Sequence, residues 1–166
     1  MATAIFYASS TGNTSNIAKD IAKILGGLKT FDIASCDIET ISQYDKVILG
    51  SSTWGDGELQ DDWDEHWESF TKIDFSGKTV ALFGLGDQDG YSYNYLDAMG
   101  TIYDKVIENG AKVIGRWEIS NEYTFDESLA VRDNSFVGLA LDEDNQDNLT
   151  QERIIAWCEQ IRNDIL

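Results

Sequence analysis

The chain has 166 residues and a formal net charge of −18, with 30 Asp and Glu against 12 Lys and Arg. These carboxylates would repel a phosphate backbone or an anionic leaflet, which argues against nucleic-acid binding and membrane-surface roles, although acidity serving only solubility is an alternative. The length predicts one domain over residues 1–166, expected to be a monomer, and no segment approaches the roughly 20 apolar residues that membrane insertion needs.

Apolar runs alternate with helical patterns along the chain. Strands are predicted at 3–8, 46–51 and 78–86, and the helices that follow them at 13–25, 61–71 and 94–109. Two more strand candidates, 111–119 and 136–141, enclose a polar stretch at 120–135 that is predicted to be an insertion. The chain closes with an amphipathic helix for which Thr150 is the predicted N-cap.

This alternation predicts an α/β fold. The apolar runs lack a two-residue period, as do strands that are buried on both faces. A doubly wound parallel sheet of five strands is therefore expected, with right-handed crossovers and helices on both faces. In such folds ligands bind beyond the carboxyl ends of the strands, which directs attention to the loops at 9–14, 52–60 and 85–94.

The first loop reads SSTGNT and has the composition of an anion site without a cation. Hydroxyl and amide groups beside a helix N-terminus could wrap a phosphate, and these residues are Ser9, Ser10, Thr11, Gly12, Asn13 and Thr14. The spacings of nucleoside-triphosphate and dinucleotide loops are both absent. A response-regulator receiver domain would need acids where this chain has serines. The alternative is that Thr11 or Asn13 merely caps the helix.

Two aromatic residues follow strand ends on different loops. Trp54 lies between a strand and Gly55, and Tyr91 comes directly after Gly90. Because both lie at the same end of the predicted sheet, they could hold a flat ring between them. The alternative, that each is an ordinary core or surface aromatic, is weaker for the pair than for either alone.

The remaining chemistry-bearing residues suggest no second site. Cys36 and Cys158 lack metal-site or disulfide spacing and are interpreted as reduced thiols, which predicts the cytoplasm, or a chloroplast stroma after removal of a transit peptide. His66 is interpreted as a surface helix residue. The indoles interpreted as packing residues are Trp63, Trp67 and Trp157.

Taken together, the segments SSTGNT, TWGDGELQDDW, GLGDQDGYSYNY and FVGLALDEDNQDNLT resemble long-chain flavodoxins, in order and in spacing, over nearly the whole chain. The resemblance implies a flavodoxin-like sheet of order 2-1-3-4-5 and non-covalently bound FMN. It also implies that the stretch near 120–135 is the insertion that interrupts the last strand in long-chain members.

The resemblance also implies residue roles. The loop at 9–14 would bind the flavin phosphate, and Trp54 and Tyr91 would flank the isoalloxazine ring. The peptide between Gly55 and Asp56 would turn over on one-electron reduction and accept a hydrogen bond from flavin N5–H, a turn that glycines such as Gly57 make cheap. Further positions along the flavin are Thr53, Gly86, Asp87, Asn94 and Asp144. One departure is Ser52, where the family commonly has proline.

Acidic residues concentrate around the aromatic loops, and no Lys or Arg lies between residues 54 and 68. They are Asp56, Glu58, Asp61, Asp62, Asp64, Glu65, Glu68, Asp87 and Asp89. Carboxylates near an anionic reduced flavin disfavour the second electron. The resemblance thus implies a low-potential one-electron carrier, not an enzyme, that shuttles between semiquinone and hydroquinone and replaces or parallels ferredoxin.

Expected partners are basic-surfaced redox proteins, because the acidic rim would steer the carrier toward them. They would be of the flavodoxin/ferredoxin–NADP reductase type, or oxidoreductases such as photosystem I, pyruvate oxidoreductase or nitrogenase. Two alternatives share the fold: an NAD(P)H quinone reductase, whose nicotinamide phosphates these acids would repel, and a non-redox binding or signalling module, which would purify colourless.

Overall fold

The computed structural model describes residues 2–166 and is organised around one parallel sheet. In chain order, the strands are β1 (Thr3–Tyr7), β2 (Lys29–Asp32), β3 (Lys46–Trp54), β4 (Glu58–Leu59), β5 (Thr79–Leu85), β6 (Lys112–Ile114), β7 (Trp117–Glu118), β8 (Val131–Arg132), β9 (Ser135–Phe136) and β10 (Leu139–Leu141). The α-helices are α1 (Asn13–Ile24), α2 (Asp61–Glu65), α3 (Trp67–Phe70), α4 (Asp97–Glu108) and α5 (Thr150–Ile165). Short 3₁₀ helices cover Ile33–Ser35, Ile38–Gln43 and Asp147–Leu149.

The sheet runs β2-β1-β3-β5, and two short strands share the fifth position. Strand β6 pairs in parallel with the first half of β5, and β10 pairs in parallel with its second half. The residues between β6 and β10 include a small antiparallel sheet of order β7-β9-β8. The predicted fold class, strand order and interrupted last strand are therefore confirmed.

Helices cover both faces of this sheet, which explains the unbroken apolar runs of β1, β3 and β5. Helices α1 and α5 pack on one face, where the buried side chains include Ile5, Ile17, Ile21, Ile48, Phe83, Ile154 and Trp157. Helices α2, α3 and α4 pack on the other, where they include Phe6, Leu49, Trp63, Phe70, Leu82, Met99 and Ile102. Trp63 and Trp157 are fully buried and Trp67 stacks on Phe70, which confirms their packing roles.

Three local expectations are wrong. Strand β2 was not predicted, because KTFD is short, lies at the sheet edge and buries no residue fully. The single helix expected at 61–71 is two helices that meet at His66, whose ring Nδ1 lies 2.8 Å from the Asp62 carbonyl oxygen. Thr150 is the first residue of α5, and the N-cap is Leu149. The Thr150 hydroxyl donates instead to the Glu143 carboxylate.

Both cysteines are free thiols, Cys158 buried and Cys36 half-buried. Burial raises the pKa of Cys158 to about 11, which leaves it protonated and unreactive at neutral pH. None of the helices in residues 2–166 is long and apolar enough to cross a membrane.

Candidate functional site

The carboxyl ends of β1, β3, β5 and β10 meet at one edge of the sheet, where a cleft of about 340 Å³ opens. This volume falls within the range of about 300 to 1,000 Å³ that ligand sites usually have. The residues that line the cleft are Thr11, Asn13, Thr14, Ser52, Thr53, Trp54, Gly55, Leu85, Gly86, Asp87, Tyr91, Glu143 and Asp144.

One wall of the cleft is the loop that enters α1. Gly12 is the N-cap residue, with φ at 94°, and its N–H donates to Ser9 Oγ at 3.0 Å. Because Gly12 occupies the N-cap position and makes no side-chain hydrogen bond, the alternative that Thr11 or Asn13 serves as the cap is wrong. The helix therefore begins beside the cleft with its positive dipole end uncapped, and Thr11 and Thr14 line the cleft there.

A buried amide ties this loop to the next one. Gln60 is 1% exposed, and its Nε2 donates to Ser10 Oγ at 2.9 Å. Its Oε1 accepts from the Asp62 amide at 2.7 Å and so caps α2. Gln60 was not predicted to support the site, because nothing in its neighbourhood along the chain distinguishes it from a surface glutamine.

The two predicted aromatic residues are surface-exposed on the cleft and are not core residues. Trp54 is 42% exposed and Tyr91 is 47% exposed, which are large values for aromatic side chains of this size. The Trp54 indole Nε1–H donates to Ser52 Oγ at 2.8 Å, which restrains the ring. Serine at this position thus supplies an acceptor that a proline could not.

Between Trp54 and Glu58, the chain turns through Gly55, Asp56 and Gly57, which join β3 to β4. Both glycines have positive φ, 52° and 96°. Gly57 also packs tightly, because a Cβ there would lie 2.6 Å from Asp97 Oδ2. Any other residue at either glycine position would therefore strain the backbone of the turn.

Carboxylates and their donors form two further walls of the cleft, the loop after β5 and the loop after β10. Burial acts to raise the pKa of Asp87, but hydrogen bonds from Gly90, Asn145 and Asp89 outweigh it, so the pKa is lowered. The pKa of Asp144 is raised, first by burial and then by the negative charges of Asp87 and Asp142. An added negative charge in this part of the cleft would meet carboxylates that already repel one another.

The structure brings most of the predicted site residues to the cleft but not all of them. Ser9, Ser10 and Gly12 belong to the first loop but are not among the residues that line the cleft. Asp56, Gly57 and Asn94 lie on the far side of the turn, along a separate groove of about 630 Å³. Thr53 lines the cleft, yet its Oγ1 accepts from the Ala98 amide at 3.0 Å and so anchors the start of α4.

This second groove separates the turn from the insertion. Its exposed apolar surface comes from Tyr93 and Leu129, which are 64% and 55% exposed. Carboxylates of Asp56, Asp126 and Glu127 border it, and no Lys or Arg of the described residues lines it. The acidic surface predicted around the aromatic loops thus extends onto the insertion.

Comparison with known proteins gives one consistent family. The family model described as flavodoxin matches residues 5–157. The chain is 46% identical to a flavodoxin of Picosynechococcus sp. over 161 residues, covering 95% of this chain and 94% of that protein. It is also 46% identical to flavodoxin 1 of Escherichia coli over 166 residues, covering 98% and 94%. The crystal structure of Fusobacterium nucleatum flavodoxin bound to flavin mononucleotide superposes with a TM-score of 0.93 at 34% identity, covering 99% of each chain.

Proposed function

We propose, from the premise that the chain belongs to the flavodoxin family, that it carries single electrons on a non-covalently bound FMN held in the 340 Å³ cleft. One observation carries the proposal: an uncapped helix start and two exposed aromatic side chains face the same cleft. Flavodoxins are electron-transfer proteins, so the chain is not an enzyme. A quinone reductase on this fold is not favoured. The FMN supplies the reversible one-electron chemistry when bound.

The donor set fits a phosphate monoester. The first loop offers hydroxyls and the N-terminus of a twelve-residue helix, and it offers no cation. Backbone N–H groups and the helix dipole stabilise an anion there without a salt bridge. We assign the phosphate to residues 9–14, with Thr11, Asn13 and Thr14 facing it from the cleft.

The aromatic pair fits a planar ring system. Trp54 and Tyr91 stand on loops from β3 and β5 and would stack on the ring, at about 0.5 to 1.5 kcal/mol each beyond the area they bury. We assign Gly55 and Asp56 as the peptide that turns toward the ring, and Thr53, Gly86, Asp87 and Asp144 as further ring neighbours. Gly57 and Asn94 would act from behind the turn, because they face the second groove.

The surrounding carboxylates would set the direction of electron flow. At about 10 Å and an effective dielectric of 20 to 80, one carboxylate raises the energy of an added negative charge by roughly 0.4 to 1.7 kcal/mol, or about 20 to 70 mV. Asp56, Glu58, Asp61 and Asp89 are all exposed, on the chain segments that follow Trp54 and Asp87. Together they would separate the two reduction steps and make the second electron strongly reducing.

The same acidic residues indicate what kind of protein can bind as a partner. Redox proteins with basic surfaces complement the acidic rim of the cleft and of the second groove. We propose a reductase of the flavodoxin/ferredoxin–NADP type, or oxidoreductases of the photosystem I, pyruvate oxidoreductase or nitrogenase type, as donor and acceptor. We further propose that residues 1–166 work as one monomeric domain in a reducing compartment such as the cytoplasm, where both thiols stay free.

Titration of the apoprotein with FMN and with riboflavin tests the cofactor assignment. The fluorescence of FMN should be quenched on binding, and the complex should be one-to-one. Riboflavin lacks the phosphate, so it should bind at least about a hundredfold more weakly. Equal affinity for the two flavins would remove the phosphate assignment, and failure to bind either would remove the function.

A further inference from the structure

We propose that Asp142, which does not line the cleft, is a positioning residue that holds two walls of the flavin site in register and couples them to the insertion. The inference rests on the proposed function, because it concerns the FMN site. Asp142 follows the last residue of β10, and it is 0% exposed. A carboxylate so placed is costly unless hydrogen-bond donors surround it.

Five uncharged donors converge on this carboxylate. Oδ2 accepts from the Gln88 amide at 3.1 Å, from Gln88 Nε2 at 3.0 Å and from Asn145 Nδ2 at 2.9 Å. Oδ1 accepts from the amides of Asp144 at 3.1 Å and Asn145 at 3.0 Å. A neutral amide side chain has only one acceptor oxygen and could not accept this many hydrogen bonds.

The donors come from two separate walls of the cleft. Gln88 directly follows Asp87 in the loop that carries Tyr91, whereas Asp144 is a cleft residue of the loop after β10. Asn145 joins the two walls a second time, since its Nδ2 also donates to Asp87 Oδ1 at 2.8 Å. The positions of the Asp87 loop and the Asp144 loop relative to each other are thus held by a group outside the cleft.

Gln88 extends the connection to the insertion. It is 1% exposed, and its Oε1 accepts from the Thr124 amide at 2.7 Å. Thr124 lies outside the cleft, within the segment that interrupts the fifth strand position. One amide side chain therefore contacts both the buried carboxylate and the insertion. If FMN orders the walls, it should also order this contact, because coupling between two sites is reciprocal.

The variant Asp142→Asn tests the proposal by keeping the shape and removing one acceptor oxygen. Its NH₂ group would face donors, so FMN affinity should fall by about tenfold or more. The matched control is Asp147→Asn, which removes the same charge from an exposed position five residues on and should leave affinity within about twofold. Both are measured by fluorescence titration with FMN.

A second readout separates positioning from mere stability. In the unmodified protein, FMN should slow hydrogen exchange of the Thr124 amide, measured by NMR, and in Asp142→Asn that protection should be lost. If Asp142→Asn fails to fold, Asn145→Ala takes its place: it removes one donor to Asp142 and leaves Gln88 intact, and it should weaken both FMN binding and the Thr124 protection. Full FMN affinity with retained Thr124 protection in the folded variants would overturn the proposal. Loss of FMN binding by the unmodified chain would instead overturn the function on which it rests.

Discussion

At the scale of single residues, the contact between Ser52 and Trp54 restrains an exposed aromatic side chain of the site. The serine hydroxyl accepts the indole N–H at 2.8 Å, while the ring stays 42% exposed on the cleft. A side chain that is both exposed and restrained loses little rotamer freedom when a flat ligand stacks on it.

We expect Ser52→Ala to weaken FMN binding about fivefold, because one hydrogen bond of about 1 kcal/mol no longer preorganises Trp54. Ser69→Ala is the control, since Ser69 is exposed on α3, away from the cleft. Fluorescence titration with FMN measures both. An unchanged dissociation constant for Ser52→Ala would show that the ring orders itself only on binding.

A residue's role at the site is predictable when its neighbours along the chain reveal it. A role that depends on partners distant in the sequence is not. Trp54 and Tyr91 were found because each stands beside a glycine after a strand end, and both face the cleft. The sequence does not reveal Gln60, Gln88 and Asp142, because each is buried and hydrogen-bonds to groups up to 58 residues away along the chain. Only the folded chain brings those partners together.

At the scale of elements, the hairpin of β3 and β4 depends on Gly57 for two separate reasons. Its φ of 96° belongs to the left-handed region, and Asp97 fills the space where a side chain would begin. Asp97 cannot easily move, because its carboxylate accepts from Asn94 Nδ2 at 3.0 Å and from the Leu129 amide at 2.8 Å.

Gly57→Ala should therefore destabilise the apoprotein more than Gly77→Ala. Gly77 also has positive φ, 78°, but a Cβ added there would meet nothing within 4 Å, so its substitution isolates backbone strain. We expect a loss of about 1 to 2 kcal/mol for Gly77→Ala and about 1 to 3 kcal/mol more for Gly57→Ala. Urea unfolding of both variants measures the difference, and equal losses would show that Asp97 moves aside freely.

Element prediction succeeded where apolar residues form an unbroken run and failed where tertiary contacts decide the structure. Strands β1, β3 and β5 are unbroken apolar runs and were predicted. Strand β2 has one large apolar side chain, Phe31, and is a strand because β1 pairs with it. The break between α2 and α3 lies at His66, whose ring Nδ1 contacts the Asp62 carbonyl oxygen, and helical periodicity does not show such a break.

At the scale of the whole molecule, the net charge of −18 should govern encounter with other redox proteins. We expect the rate of electron transfer from the reduced protein to cytochrome c, a basic haem protein, to fall by roughly tenfold between about 10 mM and 300 mM NaCl. The rate to ferricyanide, a small anion, should rise over the same range because salt screens repulsion. Stopped-flow absorbance measures both, and a rate to cytochrome c that ignores salt would refute steering.

Central to the proposed function is that neutral donors hold FMN while surrounding carboxylates separate its two reduction steps. Stepwise anaerobic reduction of the holoprotein, followed by visible absorbance, tests this most directly. We expect a blue, neutral one-electron-reduced form to accumulate to most of the protein before the fully reduced form appears. Direct bleaching of the yellow protein, with no blue stage, would contradict it.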